Sequence, residues 1–359
     1  MEFSQRDIIR VIIFSALATW GVALMVTPAG PATTIGGLTA INGVKVGHHT
    51  LSARPTGCTV VLTEAGAVAA VDVRGSAPGT RETALLDPTN TVQQVHAIVL
   101  SGGSAFGLAA ADGVMRYLEE RGIGYETVAA KVPIVPAAIL YDLGIGDDPS
   151  VRPTADCGYQ AARAASPQPV AEGSVGAGAG ATVGKLGGPD RAMKGGIGTS
   201  LVTLPGGVQV AALMAVNSVG DVVDPDTGEL VAGVRSADGQ GLAGWHSVLG
   251  VPRAPERDRH QNTTIGVVAT NATLNKSQLA LVVRMAHDGL ARAVRPAHTP
   301  SDGDVIFAIA TGQVRDEVSL LHLGAMAAAV TADAIVRGVR TATPLPGYPS
   351  VGDLQGGVR

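Results

Sequence analysis

"DRHQNTTIGVVAT", residues 258–270, decides how this chain is read. A charged loop runs into Asn262-Thr263-Thr264 and then straight into an apolar run of strand character. The same residues support two readings. In one, a surface loop ends and a buried strand begins. In the other, the chain is cut before Thr263, which then carries a hydroxyl nucleophile and a free amine that can serve as its own base. The first reading is silent about function. The second makes the fold a holder for one terminal threonine.

Working outward from this junction, "TTIGVVATNA" alternates as a strand does, "KSQLALVVRMAHDGLARAV" has helical spacing, "DVIFAIATG" is another strand and "LLHLGAMAAAVTADAIVRGV" a final helix. Upstream, "VPRAPERDRHQN" gathers charge and proline in a chain otherwise poor in charge, and is expected to be an exposed, mobile loop. The stretch 170–235 is glycine-rich with strands between the glycines, and "VVDPDTGELV" places a turn between two short strand candidates. Nearer the amino terminus, "LTAINGVKVGHHT" and "GCTVVLTEAGAVAAVDVRG" read as strands, and "SAPGTRETALLDP" as a loop leading to a short helix. "HAIVLSGGSAFGLAAADGVMRYLEERGIG" reads as strand, glycine turn and helix. There Ser104 is the expected N-cap, Gly122 the stop, and Phe106, Leu108, Met115 and Leu118 the buried side. Helices and strands interleave without a repeat, so the class is α/β or α+β.

Composition narrows the function classes. Of 359 residues 46% are hydrophobic and 16% charged, with 48 glycines and few aromatics, as expected of a large core of small side chains packed closely. The net charge of −4, without a lysine run or an aromatic-basic patch, argues against a nucleic-acid partner. Cys58 and Cys157 allow one disulfide but are read as ordinary buried thiols, and neither lies in a CxxC pair. Residues 11–26, "VIIFSALATWGVALMV", form an uncharged apolar run behind Arg6 and Arg10. Segment 1–32 therefore resembles a signal or membrane anchor ahead of a single domain at 33–359, and export or tethering is favoured over a cytoplasmic location.

Several motifs have competing readings. "VGAGAGATVGK" invites a phosphate loop, yet a Walker A motif needs glycine where Ala179 stands and Ser or Thr where Leu186 stands. The alternative is a turn where backbones approach closely, with Lys185 delivered into a cleft. "SGGSAFG" misses the nucleophile elbow GxSxG because Phe106 occupies the second glycine position. The histidines lack metal-ligand spacing, so no metal or other cofactor is expected. Asp302 and Asp304 in "HTPSDGDVIFA" are either a solvated turn or a pair of carboxylates able to orient an amine or a lysine. Asn262-Thr263-Thr264 is also a glycosylation sequon.

The order of segments adds what single motifs do not. "NGVKVGHHT", "VDVRGSAPGTRETALLDP", "LSGGSAFGLAAADGVMRYLEERG", "VPIVPAAILYDLGIGD", "GAGAGATVGKLGG", "AMKGGIGTS", "AVNSVGDVVDP", "NTTIGVVATNA" and "VRPAHTPSDGDVIFAIATG" follow one another. Together they resemble the L-aminopeptidase/D-esterase family of self-processing hydrolases, which includes β-aminopeptidases and nylon-oligomer hydrolases. The resemblance spans about residues 38–345. It implies a four-layer α/β/β/α sandwich of the N-terminal-nucleophile type, cut between Asn262 and Thr263 into α and β chains that stay associated. It also implies an aminopeptidase or amidase that acts on a small peptide or amide, forms an acyl-enzyme on Thr263 and assembles as a homo-oligomer of αβ units. By the same resemblance Lys185 tunes Thr263, Asp302 and Asp304 orient that network, and Asn217 and Tyr141 donate to the oxyanion. Lys194 is the alternative lysine. Two rival readings remain: an acyltransferase of the ornithine acetyltransferase type, and an unprocessed nucleotide- or peptide-binding module.

Overall fold

The computed structural model describes residues 36–250, 262–315 and 318–355. Segment 1–32 and all but Asn262 of the loop expected at 251–262 therefore lie outside the described residues. Eight main strands follow in chain order: β1 (Lys45–Thr50), β2 (Gly57–Val73), β3 (Gln94–Ser101), β4 (Ala137–Ile139), β5 (Gly196–Thr203), β6 (Gln209–Val216), β7 (Ile265–Ala272) and β8 (Val305–Val314). The helices are α1 (Ala110–Glu119), α2 (Ala155–Ala164), α3 (Lys276–Ala293), α4 (Leu320–Arg340) and the short α5 (Val351–Gln355).

One hydrogen-bonded path runs β5-β6-β7-β8-β2-β3-β4 and ends on the two-residue strand Thr80–Arg81, while β1 pairs with β2 off this path. Most neighbours are antiparallel, but β3 and β4 are parallel, and so are β7 and β8, with Ile265 beside Val305 and Val267 beside Phe307. The long strand β2 joins two halves. Its first part pairs with β1 and β3, its last part with β8, and its register on β3 shifts between Leu62 and Ala67. Gly66 lies inside that shift with φ +84°, a conformation that a side chain disfavours.

Period-two alternation then divides the side chains between cores. Val61, Ile98, Val267, Phe307 and Ile309 meet in a central core between the two halves of the sheet. Val268, Ile306 and Ala308 face the opposite way and pack with residues of α3 and α4, among them Val283, Leu290, Leu323 and Ile335. Val60, Leu62 and Val99 pack with Val114 and Leu118 of α1 and Cys157 and Ala161 of α2. Three cores between helix, sheet, sheet and helix give the expected four-layer α/β/β/α sandwich. Within one layer α1 and α2 come close through glycine: a Cβ on Gly113 would lie 1.6 Å from the Ala155 carbonyl oxygen, and one on Gly158 1.8 Å from that of Ala110.

Some local expectations need correction. The α-helix starts at Ala110 rather than Ser104, which opens a 3-10 turn, Ser104–Ala109, with no side-chain cap bond. Phe106 is 56% exposed instead of buried, with the Arg152 guanidinium over its ring. Gly122 does end the helix, at φ +64°, its N–H donating to the Glu119 carbonyl. Cys58 and Cys157 are joined as a disulfide rather than left as thiols, because the sheet brings β2 under the α2 layer. Helix α2 had no sequence expectation: "ADCGYQAARA" is only ten residues long, and its buried face, Cys157, Gly158, Ala161 and Ala162, is made of small side chains.

Candidate active site

Parallel strands start at the same end of a sheet, so β7 and β8 bring their preceding residues together. Asn262 and Asp302 form a parallel bridge there, the Asn262 N–H donating to the Ser301 carbonyl at 2.9 Å. Sequence positions 40 apart are thereby placed side by side. Thr263 is 2% exposed and its hydroxyl donates to the carbonyl of Asn262, the peptide that the cleavage reading would break. The same carbonyl accepts the Gly303 N–H at 2.9 Å. Gly303 is crowded as well: a Cβ there would stand 2.4 Å from the Ala77 carbonyl oxygen and 2.8 Å from the Thr263 hydroxyl. The glycine between the two aspartates thus admits the hydroxyl and polarises its neighbouring carbonyl.

The Thr263 N–H donates to the Asn217 carbonyl at 2.9 Å. Lys185 reaches the same residue, its Nζ 3.1 Å from that carbonyl oxygen and 2.8 Å from Oδ1. The Asn217 amide nitrogen donates to the Tyr141 carbonyl at 3.0 Å. As a residue Lys185 is only half-buried. Desolvation of its ammonium nevertheless lowers its pKa from 10.5 to about 7, with the charge of Asp302 opposing. Asp302 moves the other way, from 3.8 to about 6, through burial and then the nearby charge of Asp304. Hydrogen bonds from Thr299 and the Val219 N–H hold it back. Asp304 accepts the Thr264 N–H at 2.8 Å on one oxygen and His298 on the other.

The site therefore gathers Thr263, Asn262, Lys185, Asn217, Asp302 and Asp304. Tyr141 joins them on the wall of a cavity of about 280 Å³, which is also lined by Thr263, Ser104, Pro78 and Ile139. Lys194 is elsewhere, fully buried, its Nζ donating to the carbonyls of Gly178, Ala181 and Gly195 at 2.8–3.0 Å. Burial lowers its pKa to about 7 too, but its hydrogen bonds tie together the glycine-rich turn. That turn packs against the sheet: a Cβ on Gly176 would fall 2.4 Å from Thr59 Oγ1, and one on Gly178 2.5 Å from the Ile197 nitrogen. These glycines permit close packing, the alternative to a phosphate loop. Among the described residues no three His, Cys, Asp or Glu side chains come together as a metal site.

Two participants escaped the sequence reading. Gly303 is signalled by the glycine between two aspartates. His298 carries no signal beyond its place beside the two aspartates in "HTPSDGD".

A buried hydroxyl thus stands against a backbone carbonyl, with a lysine of lowered pKa on Asn217, in a sandwich of the N-terminal-nucleophile type. Solved structures agree on the fold. A β-aminopeptidase of Burkholderia sp. aligns with TM-score 0.66 at 24% identity, covering 92% of this chain and 95% of that one. The L-aminopeptidase D-Ala-esterase/amidase of Ochrobactrum anthropi, described as a variant of the Ntn hydrolase fold, aligns with TM-score 0.69 at 20% identity over 91% and 94%. Residues 37–351 match the model of peptidase family S58, and the chain belongs to that family. An "uncharacterized aminopeptidase" of Mycobacterium tuberculosis (strain H37Rv) is 45% identical over 348 residues, covering 88% of this chain and 97% of its own. A 6-aminohexanoate-oligomer endohydrolase of Kocuria sp. is 32% identical over 314 residues, covering 83% and 84%. The protein is a hydrolase of the peptidase and amidase kind.

Proposed function

We propose that this hydrolase is its own first substrate and that Thr263 is its nucleophile. The contact of the Thr263 hydroxyl with the Asn262 carbonyl, itself held by the Gly303 N–H, carries the reading. The Thr263 oxygen attacks the Asn262 carbonyl carbon. The C–N bond breaks as the acyl group moves from nitrogen to oxygen, and the freed amine takes the proton. Water then opens the ester, leaving Asn262 as a carboxylate and Thr263 with a free amine and hydroxyl. The Gly303 N–H stabilises the negative charge on the carbonyl oxygen where it develops. A Lys185 amine of pKa about 7 is neutral often enough near pH 7 to act as a base, and it stands on the same Asn217 carbonyl that receives the Thr263 N–H.

In the mature enzyme the same hydroxyl attacks a small peptide or amino-acid amide. The amine leaves, the acyl group stays on Thr263, and water releases it as an acid. The cavity at Thr263 suits a small acyl group, and an aminopeptidase is the activity we assign. Strand pairing supports lasting association of the two chains. After the cut, β7 and β8 of the β chain remain bonded between β6 and β2 of the α chain. The αβ units are proposed to assemble as a homo-oligomer.

Intact mass under denaturing conditions, followed by amino-terminal sequencing, tests the reading. The expected fragment begins TTIGVVAT, and Thr263→Ala leaves one uncut, inactive chain. An uncut wild-type chain after long incubation, or a cut and active Thr263→Ala, overturns it.

A further inference from the structure

His298 lies in "VRPAHTPSDGD", four residues before Asp302. Its φ is +55°, a left-handed conformation that few residues other than glycine adopt. That backbone turns two donors onto one atom. The His298 N–H lies 3.1 Å and Nδ1 2.8 Å from Asp304 Oδ2. The other Asp304 oxygen accepts the N–H of Thr264, the residue after the proposed nucleophile. Nδ1 therefore carries a proton toward the carboxylate, and Nε2 is enclosed with no hydrogen-bond partner. The far side of the ring meets His287, with centroids 5.0 Å apart and edge to face. His287 holds the Asp72 carbonyl at 3.0 Å, and Arg74 binds the Asp72 carboxylate at 2.7 Å. His298 is thus wedged between a charged strand end and Asp304, and its polar contact points toward the nucleophile.

We propose that His298 is the positioning residue of this site: it locks the Asp304 carboxylate onto the Thr264 N–H and thereby fixes Thr263 against the carbonyl it attacks. The inference rests on the Thr263 reading and adds a residue to it. The titratable groups facing His298 are Asp304 and, across the ring, His287, with Asp72, Arg74 and Asp302 one contact further. Burial keeps His287 neutral, its pKa lowered to about 4, so it brings no charge to this cluster near pH 7.

The left-handed backbone makes the test specific. Glycine adopts φ +55° without strain and removes the side-chain donor while keeping the backbone N–H. Asparagine tolerates the same backbone and places an amide nitrogen at the position of Nδ1. Each variant is compared with wild type for the fraction cut at residue 263 and for hydrolysis of L-alanine p-nitroanilide across pH. His298→Gly is expected to be slower by about 10- to 100-fold, the worth of one charge-assisted hydrogen bond. His298→Asn should recover most of the rate. Should the glycine variant not fold, His298→Asp tolerates the same backbone but turns a negative charge on Asp304, and must be slower than His298→Asn.

Wild-type behaviour in the glycine variant overturns the proposal. So does equal loss in the glycine and asparagine variants, since that is a packing role alone. A wild-type chain that is never cut removes the Thr263 reading and this inference with it. A processed wild type with an indifferent His298→Gly removes this inference only.

Discussion

Lys185 approaches Asn217 from a short 3-10 turn entered through Gly184, whose φ is +71°. At the residue scale its depressed pKa sets two expectations. The amine is charged below about 7 and neutral above, so self-cleavage should quicken as pH rises through about 7 and then level off. Lys185→Met should slow it by ~100-fold or more, the usual worth of a general base. Intact mass against time at several pH values measures both. The same shift bears on stability. The unfolded lysine, at 10.5, binds its proton more tightly than the folded one, at about 7. Its burial therefore penalises the fold fully below about 7, and the penalty fades as pH rises towards 10.5. The rise of the melting temperature above neutrality should be shallower in Lys185→Met. A cleavage rate that ignores Lys185 would assign the base to another group.

The element on which most depends is β2, 17 residues long and shared by both halves of the sheet. A regular strand would keep one face towards one core along its whole length. Here the register shift between Leu62 and Ala67 lets the strand leave β1 and pair with β8. Gly66 supplies the turn at φ +84°, and a Cβ there would sit 2.6 Å from the Gln94 side-chain oxygen. Gly66→Ala should cost about 1–2 kcal/mol, through left-handed strain more than through the clash with a flexible side chain. A urea midpoint unchanged from wild type would show that the strand bends without needing glycine. The strand was legible in "GCTVVLTEAGAVAAVDV" as an apolar alternation, but its division between two sheets was not. Both halves have the same pattern, and pairing partners far away in sequence decide which core each half meets.

For the whole molecule, the disulfide between Cys58 and Cys157 fastens the α1/α2 layer to the sheet across a sequence separation of 99. Closing so long a loop restricts the unfolded chain, and typical effects are about 2–4 kcal/mol. Thiol titration in denaturant should find no free cysteine. Dithiothreitol should lower the unfolding midpoint of wild type and leave Cys58→Ala/Cys157→Ala unaffected. Two titratable thiols in the oxidised protein would return the pair to the ordinary buried thiols that composition suggested.

Local pattern carried much of this molecule. The strand after Thr263, helices α3 and α4, the strand–turn–helix around Ser104 and the turn at Gly122 were all legible, because each is written in a few adjacent residues whose periodicity or punctuation admits one local solution. The order of such segments was enough to point to the family and to the residues worth examining. Tertiary structure decided the rest. The parallel start of β7 and β8 brings Asn262 to Asp302 and turns a glycine between two aspartates into a donor for a carbonyl. The path of the chain also sends Lys194 into a cage of carbonyls while Lys185 reaches Asn217. It directs Asp304 to Thr264 and His298 to Asp304. None of these choices is a local property, since each depends on which distant backbone arrives within hydrogen-bonding distance, and on how much water is excluded when it does.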